Sequence, residues 1–391
     1  MSERFAIERA PRQGDAALLV VLFLLIGLGL SVLFSASYNW AEQLYGDPFR
    51  LIRRQAIWVA LGTAVALVGY HVPLSFLRSV VPIMIVAALG LMALTFVPGL
   101  GEEYLGGRRW ILLFGSSFQP SELVKVVLVF YLAHILDRKQ ERLDDTMNSV
   151  VPPLIVVGVF GGLIYLQNDF STSVFVVLLA LLVLFVARVR LRFFVGLAIV
   201  TIPLTAILLL TREHRVLRIL AFIDPNIDRF GSGYQVLQAQ RALEFGGVWG
   251  RGIGQSVQKY GTLPEPHSDF VFAVLGEEVG FVGVAIVMGL FVAFAVKGYR
   301  LAFGATTVFR SLLAFGLTSV IVLQALLNMA VVGGLVPATG IPLPFFSHGG
   351  SAILMTLLMS GLLLNVAREE ADARRTTSRS GDIRRSEATD G

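Results

Sequence analysis

Residues 16–36 read AALLVVLFLLIGLGLSVLFSA, a run without one charged side chain. A helix needs about 20 apolar residues to cross a bilayer, since the hydrocarbon core is about 30 Å thick and each residue rises about 1.5 Å. Core helices of soluble proteins rarely run that far uncharged. Further apolar stretches occupy 55–70, 80–97, 119–136, 150–166, 172–187, 193–210, 270–296, 311–332 and 351–367. The pattern predicts an all-α integral membrane protein, a polytopic bundle of about ten transmembrane helices with a large extracytoplasmic loop between the seventh and eighth. At 55% hydrophobic and 15% charged residues, the composition excludes a soluble globular domain. The expected organisation is a cytoplasmic N-terminus at 1–15, a membrane domain at 16–367 and a disordered cytoplasmic tail at 368–391. The first run is too long for a signal-peptide core and lacks a small-residue cleavage site, so it stays as a helix. The absence of cysteine rules out disulfides and thiolate metal sites.

The net charge of +5 matters less than its placement. Ten spans put both termini on one side. With the N-terminus inside, the cytoplasmic face gains Arg4, Arg9, Arg12, Arg188, Arg190, Arg192 and the arginine-rich tail, while the outer segments 167–171 and 333–350 hold no Lys or Arg and the 37–54 loop, with Arg50, Arg53 and Arg54, is an exception. The outer loop 212–267 is basic where the rule does not ask for it. An anionic ligand would explain that, as would the indifference of long loops to charge.

Four stretches combine Gly, Pro, aromatic and charged residues, the usual mark of functional loops. In GGRRWILLFGSSFQPSELVKV (106–126), Pro120 suits the first turn of a helix, and Glu122 and Lys125 follow three apart on one face inside a span. Charges there are expected to pair and line a cavity, or else merely to fix the helix. Arg108, Arg109 and Trp110 suit either a phosphate or an interfacial anchor. Asp169 in QNDFSTS is either a helix-start acid or a cavity acid. In LPEPHSDFVFAVLGEEVG (263–280), Pro264 and Pro266 stiffen the approach to Asp269, and Glu277 and Glu278 fall about two turns down the helix. Asp269 suits a general base at a low-dielectric boundary, or a helix N-terminal acid. The last stretch, GGLVPATGIPLPFFSHGGSA (333–352), excludes regular helix and is tolerated at membrane depth only beside protein or a cavity.

Taken together and in order, GGRRWI, FQPSELVKV, QNDF, GYQ, the stretch GGVWGRGIGQSVQKYGTLPEPHSDFVFAVLGEEVGFVG and ATGIPLPFFSHGGS resemble the SEDS family (shape, elongation, division and sporulation), the polytopic glycosyltransferases of bacterial cell-wall synthesis. SVQKYGTLPEPHSDF is more similar to the division branch than to the elongation branch. Asn168 stands where Pro is common in the family, Ser268 where Thr is usual, and His348 where Tyr is usual.

The resemblance implies polymerisation of lipid II, with release of undecaprenyl pyrophosphate. It implies Asp269 as the essential catalytic residue, with Arg108, Arg109, Trp110, Gln119, Glu122, Lys125, Asp169, Lys259, Glu265, His267 and Ser347 as substrate contacts. It implies a class B penicillin-binding protein and other divisome proteins as partners, no nucleic acid, and a place in the inner membrane at the division septum. No protein-bound metal or cofactor is expected; a magnesium or manganese ion at the pyrophosphate stays open. The rival readings are a lipid II flippase and an elongation role.

Overall fold

The computed structural model describes residues 14–104, 107–113, 116–142, 145–228, 231–259, 263 and 265–389. Nearly all of the expected N-terminal segment 1–15, and Pro264, lie outside these. In chain order the helices are α1 (Gly14–Tyr45), α2 (Arg50–His71), α3 (Leu74–Ser79), α4 (Val81–Leu94), α5 (Pro120–Arg138), α6 (Thr146–Ser149), α7 (Val151–Leu166), α8 (Phe170–Val186), α9 (Leu191–Leu210), α10 (Glu213–Ile223), α11 (Ser232–Gly246), α12 (Val271–Phe303), α13 (Val308–Val332) and α14 (Gly350–Thr389). Six helices, α1, α2, α9, α12, α13 and α14, are long and apolar enough to cross a membrane, and α4, α7 and α8 are shorter apolar rods. With the charged α5 they occupy the ten predicted spans.

The segment between α4 and α5 adds an element that helix periodicity does not suggest. Three strands, β1 (Gly101–Tyr104), β2 (Gly107–Leu113) and β3 (Ser116–Phe118), form an antiparallel sheet in sequence order. It carries Arg108, Arg109 and Trp110 on its middle strand, directly before α5.

Helix α5 lies at the centre of the bundle, with Val124, Leu128, Phe130 and Leu132 fully buried against α4, α8 and α13. Its charges therefore meet protein instead of lipid. By contrast α9 buries none of its residues and stands at the edge, where acyl chains would cover Ile199, Ile202 and Ile207. Helices α2 and α14 pack closely through small residues; a Cβ at Gly361 would lie 2.2 Å from the Ala66 carbonyl oxygen.

The helix that follows Asp269 is broken. Gly280 adopts φ 64° and divides α12 into a short buried piece and a long spanning piece. A break leaves main-chain groups without helical partners, and here the glycine-rich loop after α11 supplies them. Arg251 N and Gly252 N donate to the carbonyls of Glu277 and Glu278 (3.0 and 2.9 Å), and Phe281 N and Val282 N donate to those of Gly247 and Val248 (2.9 and 3.1 Å). That exchange needs bare backbone: a Cβ at Gly246 or Gly250 would stand 2.0 or 2.2 Å from a carbonyl oxygen of α12. Gly246 and Gly250 thus serve close backbone contact with α12.

The two glutamates at the break are anchors. Glu277 accepts from Ser256 Oγ (2.6 Å) and from the main-chain N of Val257 and Gln258 (2.9 and 3.3 Å). Glu278 accepts from Ser35 Oγ (2.6 Å) and Lys259 Nζ (2.9 Å). They sit beside the interruption, and not within an unbroken span.

Beyond Arg368, the next turns of α14 are tied to the rest of the bundle. The starts of α3 and α13 and the end of α12 hold Glu369, Glu370 and Arg374. Arg310 bridges Glu369 (2.8 Å) and Glu370 (3.1 Å), Glu369 also accepts from Leu74 N (2.8 Å), and Arg374 donates to the Gly304 carbonyl (2.6 Å).

Candidate active site

The approach to α12 is stitched through three consecutive carbonyls to α13 and to the unwound segment between α13 and α14. His267 O accepts from His348 N (2.8 Å), Ser268 O from Ser347 Oγ (2.6 Å), and Asp269 O from Asn328 Nδ2 (2.9 Å). These bonds fix the backbone in the way the proline pair was expected to; Pro266 is buried among them. With its main chain tied, Asp269 presents its carboxylate to a cavity of about 30 Å³ shared with Arg218, Gln235, Asn328 and Thr339. Ser268 Oγ donates to Asp269 Oδ1 at 3.3 Å. Gly340 faces the acid with φ 69°, and a Cβ there would stand 3.5 Å from Asp269 Oδ2. Burial raises the Asp269 carboxyl above the ordinary aspartate range, against the Ser268 hydrogen bond and the charges of Arg218 and Arg109.

A second cavity, of about 80 Å³, is lined by Arg109, Trp110, Gln119, Glu122, Lys125 and Asp169, and by Gly340, Ile341 and Pro342. Gly340 and Ile341 also border the Asp269 cavity, so the two form adjoining chambers of one groove. Glu122 and Lys125 pair at 2.7 Å with side chains 5% and 2% exposed. Asp169 fulfils both of its readings: Oδ1 caps α8 by accepting from Thr172 N (3.2 Å), while Oδ2 lies 3.7 Å from Arg109 Nη1 and 3.5 Å from Gln119 Nε2.

The structure thus brings seven of the predicted residues to these two chambers and leaves five outside them. Lys259 is buried in its ion pair with Glu278 and also donates to Ser35 Oγ and Gly254 O, so it anchors the loop. His267 is wedged against Trp40 (ring centroids 4.4 Å apart) and His348 (5.7 Å), and burial followed by the His348 charge pushes its pKa down to about 4. Ser347 spends its hydroxyl on the backbone, donating to Ser268 O and accepting from Leu343 N (2.8 Å). Arg108 is exposed on the strand before Arg109 and lines neither chamber. Glu265 takes a left-handed φ of 49° and lines neither chamber. Among the described residues no three acids, histidines or cysteines converge at metal-binding spacing. Asp169, Glu265 and Asp269 are accordingly not gathered at that spacing.

Local patterns missed Arg218, Gln324 and Asn328. Two signals point to them: the arginines three apart in EHRVLRILAFI (213–223), and single amides within the apolar run of α13. The Asn168 departure has a local cause. Its φ of 64° is open to Asn and closed to Pro, and its side chain accepts from Arg215 Nη2 at 2.9 Å.

A family model for cell cycle proteins, FtsW/RodA/SpoVE, matches residues 15–372. The chain is 36% identical over 353 residues to the probable peptidoglycan glycosyltransferase FtsW of Geobacter sp. (strain M18), covering 90% of this chain and 96% of the relative. It is 36% identical over 354 residues to the stage V sporulation protein E of Bacillus subtilis (strain 168), covering 90% and 97%. It superposes with a TM-score of 0.75 and 29% identity on a chain of a solved peptidoglycan synthase complex that coordinates polymerization and crosslinking, covering 90% of this chain and 97% of that one.

Proposed function

The chain belongs to the FtsW/RodA/SpoVE family, and from that membership we infer that its groove is the site of a peptidoglycan glycosyltransferase, polymerising lipid II into glycan strands. The observation that carries this reading is the acid held by its own backbone: Asp269 is fixed through the three stitched carbonyls in a chamber that also holds Arg218. A sugar hydroxyl is a weak nucleophile and needs a base with a pKa nearer neutrality than a free aspartate. Burial moves Asp269 in that direction.

In the proposed reaction the acceptor 4-hydroxyl gives its proton to the Asp269 carboxylate as its oxygen bonds to the donor anomeric carbon. The bond from that carbon to the phosphate oxygen breaks, and undecaprenyl pyrophosphate leaves with the electron pair. Cationic side chains of the groove meet the new negative charge. Chambers of about 80 and 30 Å³ are far smaller than typical ligand pockets of about 300–1,000 Å³. They therefore take the reacting edges, while the sugars and lipid lie at the mouth and in the bilayer.

Similarity to a chain of a synthase complex supports a partner with crosslinking activity, a class B penicillin-binding protein. Similarity to FtsW relatives supports work at the division septum. The Lys/Arg distribution supports cytoplasmic termini and an outward-facing groove. The test is to incubate the purified chain and its partner with lipid II and resolve the products by size. Glycan polymer is expected; its absence, with labelled lipid II instead moved between leaflets of proteoliposomes, would favour a flippase and overturn the reading.

A further inference from the structure

Helix α10 carries Arg215 and Arg218 on one face. Arg215 is 6% exposed and locked. It donates to Leu208 O (3.0 Å), Thr211 Oγ1 (3.4 Å) and Asn168 Oδ1 (2.9 Å), and its guanidinium lies over the rings of Tyr165 (4.6 Å) and Phe170 (5.2 Å). That latch ties α10 to the turn between α7 and α8, the same turn that presents Asp169. One helical turn on, Arg218 lines the Asp269 chamber from an exposed position at its rim.

Three cations line the two chambers, and they are not equivalent. Lys125 is neutralised by Glu122, and Arg109 lies 3.7 Å from Asp169. Among the described residues Arg218 makes no ion pair. It feels the charges of Asp269 and of Asp169, the latter already engaged by Arg109, while Arg109 itself repels it. Two guanidinium groups kept within reach of each other, one of them unpaired, fit an anion with more than one charge.

We propose that Arg218, set in place by the Arg215–Asn168 latch, binds the pyrophosphate of the lipid-linked donor together with Arg109. This rests on the polymerase reading and names where its leaving group sits. As the anomeric carbon–oxygen bond breaks, the electron pair stays on the terminal pyrophosphate oxygen beside Arg218, while the acceptor proton passes to Asp269.

The test uses the full chain and inorganic pyrophosphate as probe, measured by calorimetric binding and by inhibition of lipid II polymerisation. Arg218→Gln should weaken pyrophosphate binding tenfold or more and raise KM, with Arg218→Lys in between. Arg215→Lys and Asn168→Ala should each weaken binding severalfold without removing a ligand contact, whereas Arg251→Gln, which removes the same charge elsewhere in the loop, should stay within twofold. The inference falls if the parent binds no pyrophosphate. It also falls if Arg218→Gln binds within twofold of the parent, or if Arg251→Gln weakens binding as much. Polymerisation with Arg218-independent binding sinks the inference alone; Arg218-dependent binding in a chain that makes no polymer sinks the polymerase reading alone. Thermal unfolding of each variant separates lost binding from lost fold.

Discussion

The side-chain amide of Asn328 donates to the main-chain carbonyl of Asp269 at 2.9 Å, and to that of Ile341 at the same distance. One residue of a spanning helix thereby sets the spacing between the acid and the unwound segment that faces it. Asn328→Ala leaves two buried carbonyls without a donor, each worth about 1–3 kcal/mol. A lower unfolding midpoint is expected, with kcat reduced about tenfold or more and KM little changed. Parent kcat in a variant that has lost stability would separate Asn328 from the positioning of Asp269.

Glu122 and Lys125 form a buried pair in the most central helix. Removing one partner strands a charge, which typically costs about 3–5 kcal/mol, while replacing both is far milder. Glu122→Gln and Lys125→Met should each lower stability much more than the double variant, as thermal unfolding in detergent would read. Additive losses would mean that the pair is not coupled.

His267 lies against Trp40 and meets His348 edge to face, and burial holds each histidine at a pKa of about 4. Unfolded, each would titrate near 6.5. Between these values the unfolded chain binds more protons, so stability is lost as pH falls from about 6.5 to about 4 and is complete above that window. Asp269, shifted upward, contributes with the opposite sign. The unfolding midpoint should drop on acidification through this window, and His348→Phe should remove roughly half of the histidine contribution. An unchanged pH dependence in that variant would contradict the assignment.

The loop after α11 is expected outside the cell. Ile253 is 79% exposed there, and the chain has no cysteine of its own. Ile253→Cys should react with an impermeant maleimide added to intact cells stripped of any outer barrier. Reaction from the cytoplasmic side alone would invert the topology.

Much of this site is legible in the sequence, for one physical reason. Charges within apolar runs are penalised by the membrane, so Glu122, Lys125, Asp169 and Asp269 stand out and are expected to share a cavity. The resemblance also implies Lys259, His267 and Ser347 as substrate contacts, but Lys259 pairs with Glu278, His267 packs on Trp40 and Ser347 bonds to backbone. Whether a polar group faces substrate or stitches the chain is set by contacts such as Ser35 with Glu278 and Ser268 with Ser347, far apart in sequence. No local spacing encodes them. The break at Gly280 is equally hidden, because VLGEEVGFVG reads as plain helix until the loop that satisfies its open main chain is in place. Helix α10 escapes for a different reason: its arginines look like ordinary charge in a long basic loop.

The central claim is that Asp269 takes the proton of the acceptor hydroxyl. The most direct measurement is the rate of lipid II polymerisation by purified Asp269→Asn beside the parent, with expression, folding and partner binding verified for both. Asn keeps the size, the main-chain carbonyl and its bond to Asn328, and loses only the basic oxygen. The account predicts a rate lower by about 10²–10⁴, the usual contribution of a general base. It also predicts that the acid limb of the parent pH–rate profile lies above the ordinary aspartate range, since burial raises this carboxyl. Polymerisation by Asp269→Asn at near the parent rate would contradict it.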